Sequence, residues 1–544
     1  MRSSISRGLA IAASLIALLA VVSPVPASAG FRSLTVSTDK GVVAGASADQ
    51  VDRFLGIPYA APPVGDLRWQ PPAPAAGWSG VRSAAGHGAR CLQSTTSSGP
   101  GMSEDCLYVN VYTPARQSAR PRPVLFWIHG GGFMSGSGDL YDGSLLARTN
   151  DIVVVTINYR LNVFGFLGVP GLSGRGAGNF GLLDQEAALR WTQRNIGAFG
   201  GDPGRVTISG ESAGGHSVCA LLASPPARGL FDGAIIQSGG CPSLTVAQAN
   251  ARGKTYAATA GCPDPATRVS CLRAKPAPDL LAAARDFGGI LTGPLPVSGV
   301  PELPLAPAVA VRSGRSSNVP ILIGATRDEV RQWALPFANA TEEQYERAIR
   351  LEFGTHADEV LARYPYSAYD SPYNAAYALG TVWTDSSVFY GLGGCQYQSL
   401  AGQFATGQPK TFFYEFADPH PPTLATTPPG FDSGAPHASE LGYLWPMATS
   451  KLLTPEQQQL SRAMVRYWGA FVTKANPTTA GGQAAWPAYR SGKLMSLRPG
   501  DGSQAVKTEV YSAQHQCSLW NQISYDWLTT NPDRLAQQVG AAAS

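Results

Sequence analysis

The chain has 544 residues, 44% of them hydrophobic, and a formal net charge of +4. That length suits one large α/β domain or two or three small ones. Only 14% of the residues are charged, so the charge pattern of a nucleic-acid-binding protein is absent, and the 43 prolines beside so much apolar sequence point to ordered loops rather than disorder.

Residues 1–29 read as a secretory signal peptide. Arg2 and Arg7 supply the positive start, Gly8 to Val22 the apolar stretch, and Ala27-Ser28-Ala29 the small-residue cleavage site. The apolar run is short for a membrane span, and no later segment qualifies as one. Cleavage after Ala29 leaves residues 30–544 as an exported mature chain, expected to form one domain with insertions. Eight cysteines in such a chain imply disulfides. Cys91 and Cys106 enclose a loop rich in Ser, Thr and Gly, and Cys262 and Cys271 close another short one. Cys395 and Cys517 are far apart, while Cys219 and Cys241 flank a helix and a strand. With no C-x-x-C and no zinc-type histidine spacing, neither a metal nor a cofactor is expected.

Phe54 to Trp69 reads as an irregular aromatic segment. From Leu107 the order becomes regular, with strands at 107–112, 124–128 and 152–157, a helix at about 183–197, a strand at 205–208, a helix at 213–222 and a strand at 233–237. Such alternation gives an α/β fold with a mostly parallel sheet covered on both faces. Residues 245–300 and 335–395 look like a cap. Strands return at 319–323 and 411–416, a proline-rich loop follows at 419–436, and the chain ends in amphipathic helical stretches. Two motifs carry no weight. Gly176-Ala177-Gly178-Asn179-Phe180-Gly181 has the dinucleotide spacing but follows a loop instead of a strand. Gly253-Lys254-Thr255 lacks the first glycine of a phosphate loop.

Between the strand at 205–208 and the next helix lies Gly210-Glu211-Ser212-Ala213-Gly214, a G-x-S-x-G turn that presents a serine hydroxyl at the top of a sheet. The pentapeptide alone is weak evidence, so the partners decide. The strand at 124–128 runs into His129-Gly130-Gly131-Gly132-Phe133, whose glycines let backbone N–H groups approach a ligand. Past the strand at 319–323 come Asp328 and Glu329, either of which suits the orienting acid. Of the histidines that follow, His356, His420, His437 and His515, the tight loop Gly434-Ala435-Pro436-His437 makes His437 the favoured base. His420 sits between prolines, and His515 lies near Cys517.

Longer motifs carry a resemblance. Glu104-Asp105-Cys106-Leu107-Tyr108-Val109-Asn110-Val111, Asn158-Tyr159-Arg160, Gly165-Phe166-Leu167 and Asn179-Phe180-Gly181-Leu182-Leu183-Asp184-Gln185 are similar to segments of the type-B carboxylesterase family of α/β-hydrolases, which includes the cholinesterases. So is Asn195-Ile196 through Phe199-Gly200-Gly201-Asp202-Pro203, and the likeness covers most of the chain beyond residue 29. The resemblance implies an α/β-hydrolase fold and a serine carboxylic ester hydrolase, with Ser212 as nucleophile, Glu329 as acid and His437 as base. It also implies Gly131, Gly132 and Ala213 as oxyanion amides. Pairings Cys91–Cys106 and Cys262–Cys271 follow from similar loops in the family. Cys395–Cys517 is also expected, and whether Cys219 and Cys241 are bridged stays open.

One departure bears on substrate. Cholinesterases carry a tryptophan in the first disulfide loop to bind quaternary ammonium, and no aromatic residue lies between Leu92 and Asp105. Choline esters are therefore not the expected substrate. Phe133, Trp333, Tyr443 and Trp445 lie beside the catalytic segments and are expected to line an apolar pocket. No basic cluster stands there to grip a charged acid. A small neutral ester of short to medium acyl chain is the expected partner, a long-chain lipase or sterol esterase being the alternative. A binding module of the same fold is the rival class, but such a module would have lost the serine.

Overall fold

The computed structural model describes residues 34–541 apart from 95–100, 173–175, 285–286, 288–292, 370, 390, 424, 480, 501 and 524–530. The candidate signal peptide lies outside the described residues.

Thirteen described strands form one sheet: β1 Leu34–Ser37, β2 Val42–Ala48, β3 Val51–Pro58, β4 Val81–Ser83, β5 Tyr108–Pro114, β6 Arg122–Ile128, β7 Val153–Ile157, β8 Gly201–Glu211, β9 Gly233–Gln237, β10 Ile321–Thr326, β11 Thr411–Phe416, β12 Lys493–Leu497 and β13 Gln504–Lys507. The order is β1-β2-β3-β5-β7-β6-β8-β9-β10-β11-β12-β13, with β4 beside β2. From β7 to β12 every pairing is parallel; the flanking strands pair antiparallel, except that β4 lies parallel to β2.

The central strands are apolar on both faces, as a parallel sheet between helical layers requires. In β6 the side chains alternate between two cores. Val124, Phe126 and Ile128 join the core that contains helix α1, Phe180–Asn195, and helix α2, Ala213–Ala223. Leu125 and Trp127 join the core under helix α5, Pro455–Lys474. In β9, Ile236 and Ile235 make the same division, as do Ile323 and Leu322 in β10. Burying each such side chain contributes about 1.5–3 kcal/mol. Every residue of α2 is buried, and its sequence is apolar apart from His216 and Ser217.

The cap segments are largely helical: α3, Asn374–Ser386, packs in a core shared with the C-terminal residues, whereas α4, Gly394–Gly407, packs mainly into the core of the sheet, and Tyr256, Leu272 and Leu280 join a further core with Trp69 and Val163. Two expectations need correction. The N-terminal aromatic segment is partly regular, because β3 covers Phe54 to Pro58; its register against β5 shifts between Phe54 and Ile57, so Gly56 and Pro58 are accommodated. The C-terminus also adds β12 and the edge strand β13, both short and with little apolar alternation to signal them. At the false dinucleotide turn, Gly176 N–H donates to Glu302 and the Asn179 amide to Val297 O, so cap residues fill it.

Disulfides join Cys91–Cys106, Cys219–Cys241, Cys262–Cys271 and Cys395–Cys517. Each closes a loop of the unfolded chain and contributes about 2–4 kcal/mol.

Candidate active site

The C-terminal ends of β6, β8 and β10 meet where the strand order has just reversed, the place where open α/β sheets form a crevice. At the end of β8 the chain turns sharply into α2. A Cβ on Gly210 would lie 2.4 Å from the carbonyl carbon of Gly214, and one on Gly214 only 2.1 Å from the carbonyl oxygen of Ile128. Glycine at both positions lets the helix begin on top of the strand. Ser212 is the pivot, at φ 56° and ψ −123°, a conformation that costs a non-glycine residue about 1–3 kcal/mol. Its backbone is held at both ends: Ser212 N–H donates to Gln237 O at 2.9 Å, and His216 N–H donates to Ser212 O at 2.9 Å. Its hydroxyl has no hydrogen-bond partner among the described residues and borders a cavity.

The loop after β10 and the loop carrying His437 are fastened to each other. His437 N–H donates to Glu329 O at 3.0 Å, and Asp328 N–H donates to Ala435 O at 2.9 Å. Ala435 N–H returns a bond to Asp328 Oδ2 at 2.9 Å, and Arg327 and Arg331 pair with the same carboxylate. The two acidic candidates thus separate by direction. Asp328 faces backbone and arginines, whereas Glu329 Oε1 bonds His437 Nδ1. Glu329 Oε2 accepts from Thr326 N–H (3.0 Å), Thr326 Oγ1 (2.7 Å) and Ser238 Oγ (3.1 Å), so neither carboxylate oxygen can swing away.

On the other side of the imidazole, His437 Nε2 lies 3.1 Å from Glu211 Oε1, but that oxygen makes no aligned hydrogen bond. Nor does a hydrogen bond join Nε2 to Ser212 Oγ in this arrangement. Burial alone would lower the His437 pKa, but the carboxylates of Glu211, Glu329 and Glu440 outweigh it and raise it to about 9. Burial pushes Glu211 up to about 8 and Glu440 up to about 7. Sequence reading missed Glu211, although it stands directly before the serine. Its role emerges only once the turn folds it under the His437 ring.

The glycines of the loop after β6 have a steric cause. A Cβ on Gly130 would meet Glu211 Oε2 at 2.6 Å and Ser212 Cβ at 3.0 Å. Gly131 and Gly132 have φ of 102° and 62°, and their N–H groups, like that of Ala213, have no acceptor among the described residues. The loop is held by Tyr159, whose hydroxyl donates to His129 O at 2.8 Å, and by Asn162 N–H, which donates to Phe133 O at 2.7 Å.

The cavity beside Ser212 has about 310 Å³ of empty space, its mouth included, and is lined by Gly132, Phe133, His216, Leu295, Phe389 and Leu392 among others. Of the four aromatics expected in the pocket, Phe133 is there and Trp333 packs on the His437 ring at 5.1 Å. Tyr443 and Trp445 are not. Tyr443 packs on Phe416 and bonds Asp418, and Trp445 packs on Trp127 and Tyr141, both inside the core under α5. Being apolar and near His437 in sequence, they were drawn into the larger core, where more surface is buried. The other late histidines lie elsewhere: His420 is exposed, and His515 is enclosed between Asp385 and Glu415. Among the described residues no cluster of side chains suits a metal ion, and no helix is long and apolar enough to cross a membrane.

A family model described as "Carboxylesterase family" matches residues 32–520. The acetylcholinesterase of Bungarus fasciatus is 35% identical, over 93% of this chain and 89% of that protein. The para-nitrobenzyl esterase of Bacillus subtilis is 36% identical, over 84% of this chain and 92% of that one. Among solved structures, a PNB esterase superposes with a TM-score of 0.75 at 34% identity, covering 88% of this chain and 99% of that one. The sheet and its helical layers are thus those of the α/β-hydrolase fold. A likeness this long, in sequence and in backbone alike, shows that the protein belongs to the carboxylesterase family, whose members hydrolyse esters.

Proposed function

We propose that the protein cleaves small neutral carboxylic esters through an acyl-enzyme formed on Ser212. His437 takes the serine proton at Nε2 as Oγ attacks the ester carbonyl, and Glu329 holds the opposite nitrogen so that Nε2 presents its lone pair. The carbonyl oxygen, now negative, is received by the N–H groups of Gly131, Gly132 and Ala213. His437 then returns the proton to the leaving alcohol. Water, activated by the same histidine, releases the acid.

The observation that carries this reading is the Glu329–His437 pair set beside a strained, buried serine whose neighbouring loop offers unpaired N–H groups. A binding module would have no use for that strain. The free N–H groups supply electrostatic stabilisation that the ground-state ester uses little and the tetrahedral intermediate uses fully. The apolar side chains lining the cavity, Phe133, Leu295, Phe389 and Leu392 among them, support a neutral short to medium acyl chain. We further propose that residues 1–29 direct export and are removed after Ala29, for which four disulfides are a compatible setting.

A fluorophosphonate probe should label the purified protein on Ser212, and Ser212→Ala should abolish labelling; labelling that persists in the variant would refute the assignment. Rates on p-nitrophenyl acetate, butyrate, octanoate and palmitate should climb over the first few carbons and then fall. A maximum at palmitate, with a jump once substrate forms an interface, would favour a long-chain lipase instead.

A further inference from the structure

Among the described residues that line the cavity beside Ser212, only Ser212 itself and His216 have polar side chains. His216 lies in the first turn of α2, four residues after the serine, and its backbone N–H bonds Ser212 O. It is 94% buried, at a relative exposure of 6%. Its ring is tilted beside Phe133, with centroids 6.4 Å apart.

Two contacts with Gly240 meet at Nδ1 of this ring. Gly240 N–H donates to His216 Nδ1 at 3.0 Å, while Gly240 O stands farther off at 3.3 Å. The shorter contact has Nδ1 accepting from the backbone N–H, and on that contact the proton of the neutral ring is assigned to Nε2. Burial holds the ring neutral, taking its pKa down to about 4. Nε2 has no partner among the described residues, yet it is not among the fully enclosed unpaired atoms. Since the ring borders the cavity, that N–H opens into it. A hydrocarbon chain filling the cavity would strip water from this donor and leave it unpaired, which is costly. A chain with an acceptor oxygen would pair it.

We infer that His216 is a specificity-determining residue whose Nε2–H selects esters bearing a second oxygen, an ether or hydroxyl, close to the scissile ester group. This rests on the reading of the site as an ester hydrolase and narrows its substrate class. The oxygen belongs to whichever part of the ester, acyl or alcohol, enters the cavity.

Two matched pairs distinguish those sources, each exchanging one CH₂ for O. The acyl pair is 4-nitrophenyl butyrate and 4-nitrophenyl methoxyacetate; the alcohol pair is butyl acetate and 2-methoxyethyl acetate. Each kcat/KM is divided by the rate constant for hydroxide hydrolysis to remove intrinsic reactivity. The wild-type enzyme should favour the oxygen-bearing member of one pair by about three- to tenfold, the effect of one neutral hydrogen bond. His216→Met and His216→Phe, two variants of different shape, should both lose that preference, the ratio being the readout. A corrected ratio of one or less in both pairs of the wild type would overturn the inference. So would a preference that survives in either variant. Hydrolysis of the butyrate without oxygen preference removes this inference alone, whereas a wild-type protein inert toward all four esters removes the hydrolase reading with it.

Discussion

Two histidines in this molecule have nearly the same surroundings. His437 is buried with Glu329 on Nδ1 and Glu211 near Nε2; His515 is buried with Asp385 on Nδ1 at 2.6 Å and Glu415 on Nε2 at 3.0 Å. Burial works against the charged form in both, and carboxylates overcome it, raising His437 to about 9 and His515 to about 10. They differ in what the second nitrogen does. At His515 each nitrogen lies within hydrogen-bond distance of a carboxylate oxygen, an arrangement that favours the imidazolium. At His437 the Glu211 oxygen is close but makes no aligned hydrogen bond, so Nε2 is not tied to a second acceptor.

The rest of each environment matches that division. His515 is sealed by Tyr511, whose ring lies 4.4 Å away, and its backbone N–H bonds Tyr511 O. Gln516 and Cys517 follow it, and Cys517 is bridged to Cys395 at the start of α4. Asp385 lies near the end of α3. One short C-terminal stretch therefore grips α3 by an ion pair and α4 by a disulfide, and between those helices lie Phe389 and Leu392, which line the cavity by Ser212. A perturbed, carboxylate-flanked histidine is thus not by itself a base. Access and a neighbouring nucleophile make the difference.

The largest effect expected tests that division directly. His437→Ala or Ser212→Ala should lower kcat by about 10⁴-fold or more with the fold retained. Loss of activity in His515→Ala but not in His437→Ala, with circular dichroism unchanged, would reverse the assignment. Next, Glu329→Gln should cost about 10³–10⁴-fold in kcat, since an amide favours the wrong tautomer of His437. The same change at Asp328 should cost far less, because its carboxylate touches backbone and arginines only.

At His515 the expected loss is in stability. His515→Gln removes one member of a buried ion cluster and should destabilise by about 3–5 kcal/mol, read by urea denaturation. The sign in pH follows from the raised pKa. The stabilisation from His515 is complete below the unfolded value near 6.5 and is lost as pH rises through about 10. A variant equal to wild type at pH 6 and at pH 10 would show that the cluster contributes nothing.

A smaller effect concerns the pH dependence of catalysis. An unperturbed histidine base would place the rise of kcat/KM near about 6.5. The carboxylates around His437 move that rise to higher pH, and Glu211→Gln should shift it back toward acid, because a carboxylate that favours the imidazolium is gone. A profile unmoved by that substitution would mean that Glu211 does not communicate with the base. An optimum below about pH 5 would contradict a histidine base altogether.

The sequence determined a good deal by itself. The continuously apolar strands β6 and β9, the largely apolar α2 and the run of strands from 107 to 237 follow from local residue types, and their positions agree with the structure to within a few residues. Ser212 and the glycines from 130 to 132 were legible because a strand-to-helix turn and close backbone approach admit few residue types. Sequence did not separate Asp328 from Glu329 without a family likeness, since adjacent carboxylates look alike until the chain fixes which way each points. It also misplaced Tyr443 and Trp445, because nearness in sequence to His437 says nothing of which side of a sheet a side chain enters. Glu211 under His437, the enclosure of His515 and the lone pair on His216 Nδ1 were decided by tertiary structure alone. Each depends on a distance of about 3 Å between segments far apart in the chain, and local residue types carry no record of such distances.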